Sequence, residues 1–285
     1  MNASNGSEAK ILVLGGTGKT GARIVERFKQ RGVAVRVGSR SAAPKFDWED
    51  SNTWKDVLRG IKSVYISFQP DLAVHGAVEA VASFTKLAVS SGVERLVLLS
   101  GRGEEEALES EQVVMKSGVK WTIIRSSWFN QNFSEGFFLE PIREGHVALP
   151  IKEVGEPFID VSDIADIAVA ALTDDKHHGQ LYDVTGGRLL TFRQAMQEIS
   201  NATGNPIEFQ QISMDEYVTG MANAGVPSDY ISLAKYLFEV VLDGRNESLS
   251  DGVERALGRK PRDFSEYARE VAATAAWKKP ELNSK

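Results

Sequence analysis

The sequence predicts an α/β fold: a doubly wound parallel sheet, followed by a small, mainly helical C-terminal lobe. Three observations support this prediction. An apolar stretch, Ile11 to Leu14, runs directly into a glycine-rich turn, strand-like and helix-like stretches then alternate as far as Leu172, and helical patterns dominate from Thr191 onward. Alternation at this rhythm implies right-handed crossovers between parallel strands.

Seven strands are expected in the first part of the chain, at 11–14, 33–37, a short third one ending at 46–48, 63–67, 95–100, 121–125 and 180–185. The helices between them are expected to end before Gly32 and to span 52–58, 74–90, about 104–116 and the residues after Asp163. Beyond Thr191 we expect helices at 192–202, 215–223, 228–242, 252–257 and 264–277, with one short strand at 207–212. Residues 8–187 should therefore form the sheet domain and residues 188–285 the lobe that closes over it.

The turn after the first strand predicts a nucleotide site. It reads Gly15-Gly16-Thr17-Gly18-Lys19-Thr20-Gly21, a Gly-x-x-Gly-x-x-Gly pattern that leads into a helix. Gly15 allows the tight turn, Gly18 lets the backbone approach a pyrophosphate, and Gly21 lets the helix pack against the sheet. The free N–H groups of the helix N-terminus, together with Thr17, Lys19 and Thr20, would bind the phosphates.

A P-loop is the competing interpretation, because Gly18-Lys19-Thr20 matches the end of that motif. The motif needs its first glycine where this chain has Val13, a strand residue, so we reject it. A Rossmann-like dinucleotide site remains.

The end of the second strand indicates which dinucleotide is bound. Enzymes that use NAD place an acidic residue there to bind the ribose hydroxyls, and none occurs from Val33 to Ser41. Arg40 with Ser39 suits the 2′-phosphate of NADP(H), because an arginine fork binds phosphate bidentately. Lys19 would add a second positive charge. The alternative for Arg40 is an ordinary exposed loop arginine.

The fourth predicted strand ends in Ser67-Phe68-Gln69, at the edge of the sheet where α/β folds bind ligands. We expect this segment to pass over the adenosine ribose.

Composition excludes several other classes. The net charge of −6, from 33 basic and 39 acidic residues, disfavours nucleic acid and anionic membrane as partners. The absence of cysteine excludes disulfides and thiolate chemistry, and the four histidines show no metal-ligand spacing. No stretch approaches the roughly 20 apolar residues of a membrane span. We therefore expect no metal, a small-molecule substrate and a cytoplasmic location; the oligomeric state stays open.

The residues of ordinary short-chain reductases are only partly present. Ser100 ends the fifth predicted strand, but the following helix has no Tyr-x-x-x-Lys pair. The segments 117–133 (SGVKWTIIRSSWFNQNF) and 157–165 (PFIDVSDIA), with the opening Gly-Gly-Thr-Gly, resemble the NmrA-like branch of atypical short-chain dehydrogenase/reductases. The similarity spans residues 9–277. Phe46-Asp47-Trp48 and the tail from Gly258 are similar to clavine dehydrogenases and their bacterial relatives.

This resemblance implies roles for particular residues. Asp47 would contact the adenine amino group, beside Trp48, although Asp47 also suits a turn cap. Ser100 and Asn132 would orient the nicotinamide or the substrate by hydrogen bonds without transferring a proton. The branch contains triphenylmethane, azo-dye and quinone reductases, and also regulators that bind NAD(P) without turnover.

The leading prediction is an NADPH-dependent reductase of a small aromatic or conjugated electron-poor acceptor, such as an iminium ion, a quinone or a dye. Trp128, Phe129 and Phe133 would stack on the acceptor, with core packing as the alternative for these rings. A regulator that senses NADP(H) and binds a protein partner is the rival function. If a proton donor is needed, Tyr217 and Tyr230 of the small lobe are the first candidates.

Overall fold

The computed structural model describes residues 9–279, which form eight strands and eleven α-helices. The strands are β1 (Ile11–Leu14), β2 (Val35–Gly38), β3 (Ser63–Ile66), β4 (Arg95–Gly101), β5 (Lys120–Ser126), β6 (His146–Leu149), β7 (Gln180–Val184) and β8 (Glu208–Gln211). The helices are α1 (Lys19–Gln30), α2 (Trp54–Leu58), α3 (Ala77–Ser90), α4 (Glu105–Met115), α5 (Leu139–Glu144), α6 (Val161–Thr173), α7 (Phe192–Thr203), α8 (Met214–Asn223), α9 (Ser228–Tyr236), α10 (Gly252–Leu257) and α11 (Phe264–Ala273).

The predicted doubly wound sheet is confirmed. Six strands pair in parallel in the order β2-β1-β3-β4-β5-β7. The direction in which the chain adds strands to the sheet reverses at β1. Strand β2 pairs with one edge of β1, and β3 pairs with its other edge. Ligands of open α/β sheets bind at such a reversal, beyond the carboxyl ends of the strands. The glycine turn follows β1 at that end of the sheet.

The described residues divide into two compact units that interleave along the chain. Unit 1 contains residues 9–126, 161–184 and 251–259, and unit 2 contains 127–160, 185–250 and 260–279. The boundary expected at 187/188 therefore differs from the observed division. The physical reason is that the chain leaves the sheet after β5, returns for α6 and β7, and later returns again for α10.

One predicted strand is absent. Residues 46–48 form an irregular loop, because side chains take up the backbone hydrogen-bonding groups of Asp47. Its N–H donates to Thr53 Oγ1 at 3.0 Å, and its carbonyl accepts from the Trp54 indole at 2.7 Å. The Phe46 ring meanwhile packs edge-on against Trp48, with 5.0 Å between centroids.

Unit 2 contains a strand that was not predicted. Strand β6 pairs in parallel with β8, the short strand that was expected, to form a two-stranded sheet. Around it lies an apolar core that includes Phe133, Phe158 and Phe192. Among residues 9–279, no helix is long and apolar enough to cross a membrane.

Candidate functional site

The glycine turn of unit 1 has the geometry of a phosphate cradle. Gly15 has a φ of +63°, a conformation that favours glycine, and its carbonyl accepts the Gly18 N–H at 2.8 Å. Helix α1 starts immediately after Gly18, with no side chain capping it and no acidic residue in its first turn. Its first N–H groups can therefore bind an anion.

Residues from the end of β3 lie beside this turn, and their predicted place over the adenosine ribose stays a prediction. A Cβ built on Gly15 would be 3.5 Å from Ser67 Oγ, and one built on Gly18 would be 3.5 Å from Gln69 Nε2. The polar side chains of Ser67 and Gln69 thus lie next to the backbone of the glycine turn, where positions 15 and 18 have no side chain. This arrangement fits a dinucleotide, whose phosphates need close backbone approach and whose ribose hydroxyls need polar partners.

The three polar residues of the turn differ in their accessibility. Thr17 is exposed and Lys19 is half-buried. Thr20 is buried, and its hydroxyl accepts a hydrogen bond from Tyr65 on β3 at 3.0 Å. The Thr20 side chain therefore links α1 to the sheet, which leaves chiefly its backbone N–H to face a ligand.

The loop after β2 contains Arg40, the residue predicted to bind a 2′-phosphate. The Gly16 N–H donates to the Gly38 carbonyl at 3.4 Å, so this loop starts beside the glycine turn. Arg40 is exposed, and its guanidinium forms no hydrogen bond or ion pair with any of residues 9–279. Ser39 Oγ and Ser41 Oγ lie 3.3 Å apart.

Sequence reasoning missed a second cation in this loop. Lys45 Nζ lies 3.1 Å from Asp47 Oδ2. The hydrogen bond from Lys45 lowers the pKa of Asp47, and the charge of Arg40 acts in the same direction. Both cations are therefore near Asp47, which stays ionised. Lys45 stands two residues before Asp47, so the closeness of this pair was visible in the sequence.

An aromatic surface lies beside the predicted adenosine position. The Trp48 indole donates to the Ser67 carbonyl at 3.1 Å, which fixes the ring across the end of β3. The half-buried ring of Phe68 lies 4.8 Å from Trp48. Flat apolar rings of this kind can pack against a base.

Ser100 is held by a buried ion pair that sequence reasoning did not anticipate. Its hydroxyl donates to Glu111 Oε1 at 2.7 Å, and Arg125 Nε and Nη2 donate to the two Glu111 oxygens at 2.8 and 2.5 Å. Ser100 and Glu111 are 3% and 1% exposed. The hydroxyl hydrogen of Ser100 is thus committed to Glu111, which leaves only oxygen lone pairs for a ligand. The orienting role of Ser100 stays a prediction.

Two carboxyl groups share a hydrogen bond at the same end of the sheet. Asp71, after β3, is bonded to Glu104, which precedes α4, and Asp71 Oδ1 also accepts the Ala73 N–H at 2.9 Å. A carboxylate can only accept, so one of the two carries a proton. Burial, followed by the charge of Asp71, raises the pKa of Glu104 well above its ordinary range, so the proton resides on Glu104.

The three rings predicted to stack on the substrate, and Asn132, which was predicted to orient it, all lie in unit 2. Phe133 is fully buried among Phe138, Phe158 and Phe264, so it can shape a pocket only from within the core. Trp128 and Phe129 are half-buried. Asn132 is also half-buried, and its backbone N–H donates to the Phe129 carbonyl at 3.1 Å. Their contacts with a substrate stay predictions.

Two kinds of catalytic group are absent from the described residues named here. Within residues 9–279, no three His, Asp or Glu side chains are grouped to hold a metal ion. Helix α4 contains no tyrosine, as its sequence already indicated.

Comparison with known proteins gives the family. The sequence profile of NAD(P)H-binding proteins matches residues 15–175, and that of the NmrA-like family matches residues 105–268. Agroclavine dehydrogenase of Claviceps fusiformis is 30% identical over 275 residues, which cover 90% of this chain and 95% of that protein. NAD(P)H azoreductase of Xenophilus azovorans is 28% identical over 287 residues, covering 92% and 98%.

A solved structure agrees on the fold. Triphenylmethane reductase of Citrobacter sp., complexed with NADP(H), superposes with a TM-score of 0.72 at 18% identity, covering 92% of this chain and 99% of that one. The resemblance inferred from the glycine turn and the segment after β5 is confirmed. The chain belongs to the NmrA-like family and binds NAD(P)H.

Proposed function

We propose that this protein is an NADPH-dependent reductase that transfers a hydride to a small aromatic or conjugated, electron-poor acceptor. The observation that carries the choice of NADPH is Arg40, an exposed guanidinium with no hydrogen bond or ion pair to residues 9–279, in the loop that starts beside the glycine turn. A free arginine fork next to Ser39 fits a 2′-phosphate.

The assignment as a reductase is supported by two relatives that align over most of both chains. They are named for agroclavine dehydrogenation and for azo reduction with NAD(P)H, and each aligns with nine-tenths of this chain. Both names describe redox chemistry on small organic molecules, so we assign the same class of reaction to this protein.

An electron-poor acceptor suits a chain whose α4 lacks the usual tyrosine. When bound, NADPH supplies the hydride, and the protein contributes mainly by holding the acceptor in the correct position. Ser100 and Asn132 would serve that orientation through hydrogen bonds. Trp128 and Phe129 offer half-buried rings for a flat molecule.

The test is a panel of acceptors followed by NADPH absorbance, with quinones, cyclic imines and triarylmethyl dyes as the three classes. Calorimetry of NADP⁺ binding on the same preparation controls for folding and cofactor affinity. We expect turnover with at least one class. Tight NADP⁺ binding without turnover across the panel would overturn the reductase and favour a regulator that senses the cofactor.

A further inference from the structure

The loop that joins β3 to α3, residues 67–76, begins beside the glycine turn, and both belong to unit 1. A Cβ built on Gly15 would be 3.5 Å from Ser67 Oγ, and one built on Gly18 would be 3.5 Å from Gln69 Nε2. We call this segment the β3–α3 loop. A change in its position would change the surroundings of the phosphate cradle.

The same loop is fastened, a few residues later, to the segment that follows β4. Asp71 is hydrogen-bonded to Glu104, which is 8% exposed. The Glu104 carboxyl also lies directly on the end of β4, because a Cβ built on Gly101 would overlap it. Strands β3 and β4 are neighbours in the sheet. One bond between two carboxyl groups therefore joins the segments that follow two adjacent strands.

This bond exists only while the two carboxyl groups hold a proton between them. An ionised carboxylate can accept hydrogen bonds but cannot donate one. If the proton left, Asp71 and Glu104 would face each other as two negative charges with no donor between them. Burial of charge without a compensating hydrogen bond is costly, so the two segments would then separate.

The surrounding charges favour the protonated form of Glu104. Burial raises its pKa most, and the charges of Asp71 and Glu106 act in the same direction. Arg102, the basic residue two positions earlier, forms an ion pair with Asp183 at 2.9 Å. Two further titratable groups of these segments are exposed: His75 and Glu105.

We propose that the bond between Asp71 and Glu104 positions the β3–α3 loop for the dinucleotide, so that cofactor affinity depends on the proton the two groups share. Both residues act through the loop and are positioning residues. The inference goes beyond the proposed function, because it concerns cofactor binding and holds for a reductase and for a regulator alike.

The direction of the pH effect follows from which form holds the loop in place. The protonated pair does so, and its proton is lost as the pH rises through the raised pKa of Glu104. Cofactor affinity should therefore be highest below that pKa and fall above it. Linkage is reciprocal, so the bound dinucleotide should in turn stabilise the shared proton.

The experiment measures the Kd of NADP⁺ and of NAD⁺ by calorimetry from about pH 5 to about pH 9, the span open to a buried carboxyl. We expect wild-type affinity for both to fall about 5- to 150-fold with rising pH, the usual range of coupling between sites. Glu104→Gln keeps a donor to Asp71 and has no proton to lose, so this fall should disappear. Glu109→Gln, an exposed change on α4, is the matched control and should behave as the wild type.

Two further variants separate positioning from a purely structural role. Asp71→Asn places a donor opposite Glu104 in either of its protonation states, so affinity should again be independent of pH. Glu104→Leu removes the bond and should bind weakly at every pH. A purely structural pair would instead leave the same pH dependence in Glu104→Gln as in the wild type, which would overturn the proposal.

Other results would also overturn it. A fall in affinity seen with NADP⁺ and not with NAD⁺ would come from the 2′-phosphate rather than from the loop. A measurement on the wild type alone covers the case in which the variants do not fold. Amide protection in the β3–α3 loop, corrected for the exchange rate of an unstructured peptide at each pH, should fall as Glu104 ionises, and constant protection would refute the proposal. None of these measurements involves turnover, so their failure leaves the reductase function standing.

Discussion

Gly21 lies directly against Gly15: a Cβ at position 21 would come within 2.2 Å of the Gly15 carbonyl oxygen. The first turn of α1 therefore packs on the glycine turn with no room for a side chain. This contact sets the position of the helix N-terminus that we assign to the pyrophosphate.

Gly21→Ala should destabilise the protein and weaken NADP(H) binding. Overpacking of a tight backbone contact costs about 1–3 kcal/mol, measured by urea denaturation. Gly220→Ala is the matched control, because α8 has open space at that position and alanine favours a helix by about 0.5–1 kcal/mol. Equal effects of the two substitutions would contradict the close contact.

Arg40→Ala should weaken NADPH binding far more than NADH binding. The loss of one bidentate charged contact is worth about 1.5–3 kcal/mol, roughly 10- to 150-fold in Kd. Calorimetric titration of both cofactors measures the ratio. Arg59→Ala removes the same charge from an exposed pair with Asp56 and should leave the ratio unchanged. Equal affinity of the wild type for both cofactors would refute the assignment.

Arg125→Ala should be strongly destabilising, because it leaves the buried Glu111 carboxylate without its cation. Breaking one side of a buried pair costs about 3–5 kcal/mol. Replacement of both residues, Glu111→Leu with Arg125→Met, should cost less than the single change. Urea denaturation distinguishes these outcomes, and a single-variant loss below about 1 kcal/mol would show that Glu111 is compensated elsewhere.

Glu104→Gln should make stability less dependent on pH. The raised pKa of Glu104 means that, above the ordinary glutamate range, the folded protein keeps a proton that the unfolded chain releases. Stability of the wild type should therefore fall as pH rises from that range through the raised pKa. The neutral glutamine avoids this loss and can still donate to Asp71. Denaturation at a series of pH values tests it, with Glu109→Gln, on the exposed side of α4, as control.

Ser100→Ala and Asn132→Ala should each lower kcat modestly and introduce no new pH dependence. Both residues are assigned to orientation, and the Ser100 hydroxyl already donates its hydrogen bond to Glu111. A pH profile of kcat for each variant provides the measurement. A loss beyond about a thousandfold would indicate that the residue takes part in proton transfer.

Much of unit 1 could be predicted from the sequence, because its apolar strands and glycines follow from local rules. The glycine spacing predicted the turn from Gly15 to Gly21. The charge of Arg40 and its position after the second strand singled it out. The buried Glu111 was not, since a glutamate within an acidic helix normally faces water. Its contacts with Ser100 and Arg125 explain its burial, and these two residues lie on β4 and β5, the strands before and after α4.

The prediction of a strand ending at 46–48 was wrong for a related reason. Phe46 and Trp48 have strand-like character, but the side chains of Thr53 and Trp54 supply the hydrogen bonds that a neighbouring strand would have provided. Single-sequence patterns do not register such local competition. In unit 2, β6 is only four residues long, too short for its alternation to stand out.

The interleaving of the two units has a consequence for how this protein can be dissected. The chain passes from one unit to the other after residues 126, 160, 184, 250 and 259. A fragment cut at 187 would lack α10, whose Gly252 fits so tightly on β7 that an added Cβ would overlap the Asp183 carbonyl. No single proteolytic cut yields either half intact. Recombination with a relative should therefore exchange all three segments of a unit together, rather than join an N-terminal half to a C-terminal one.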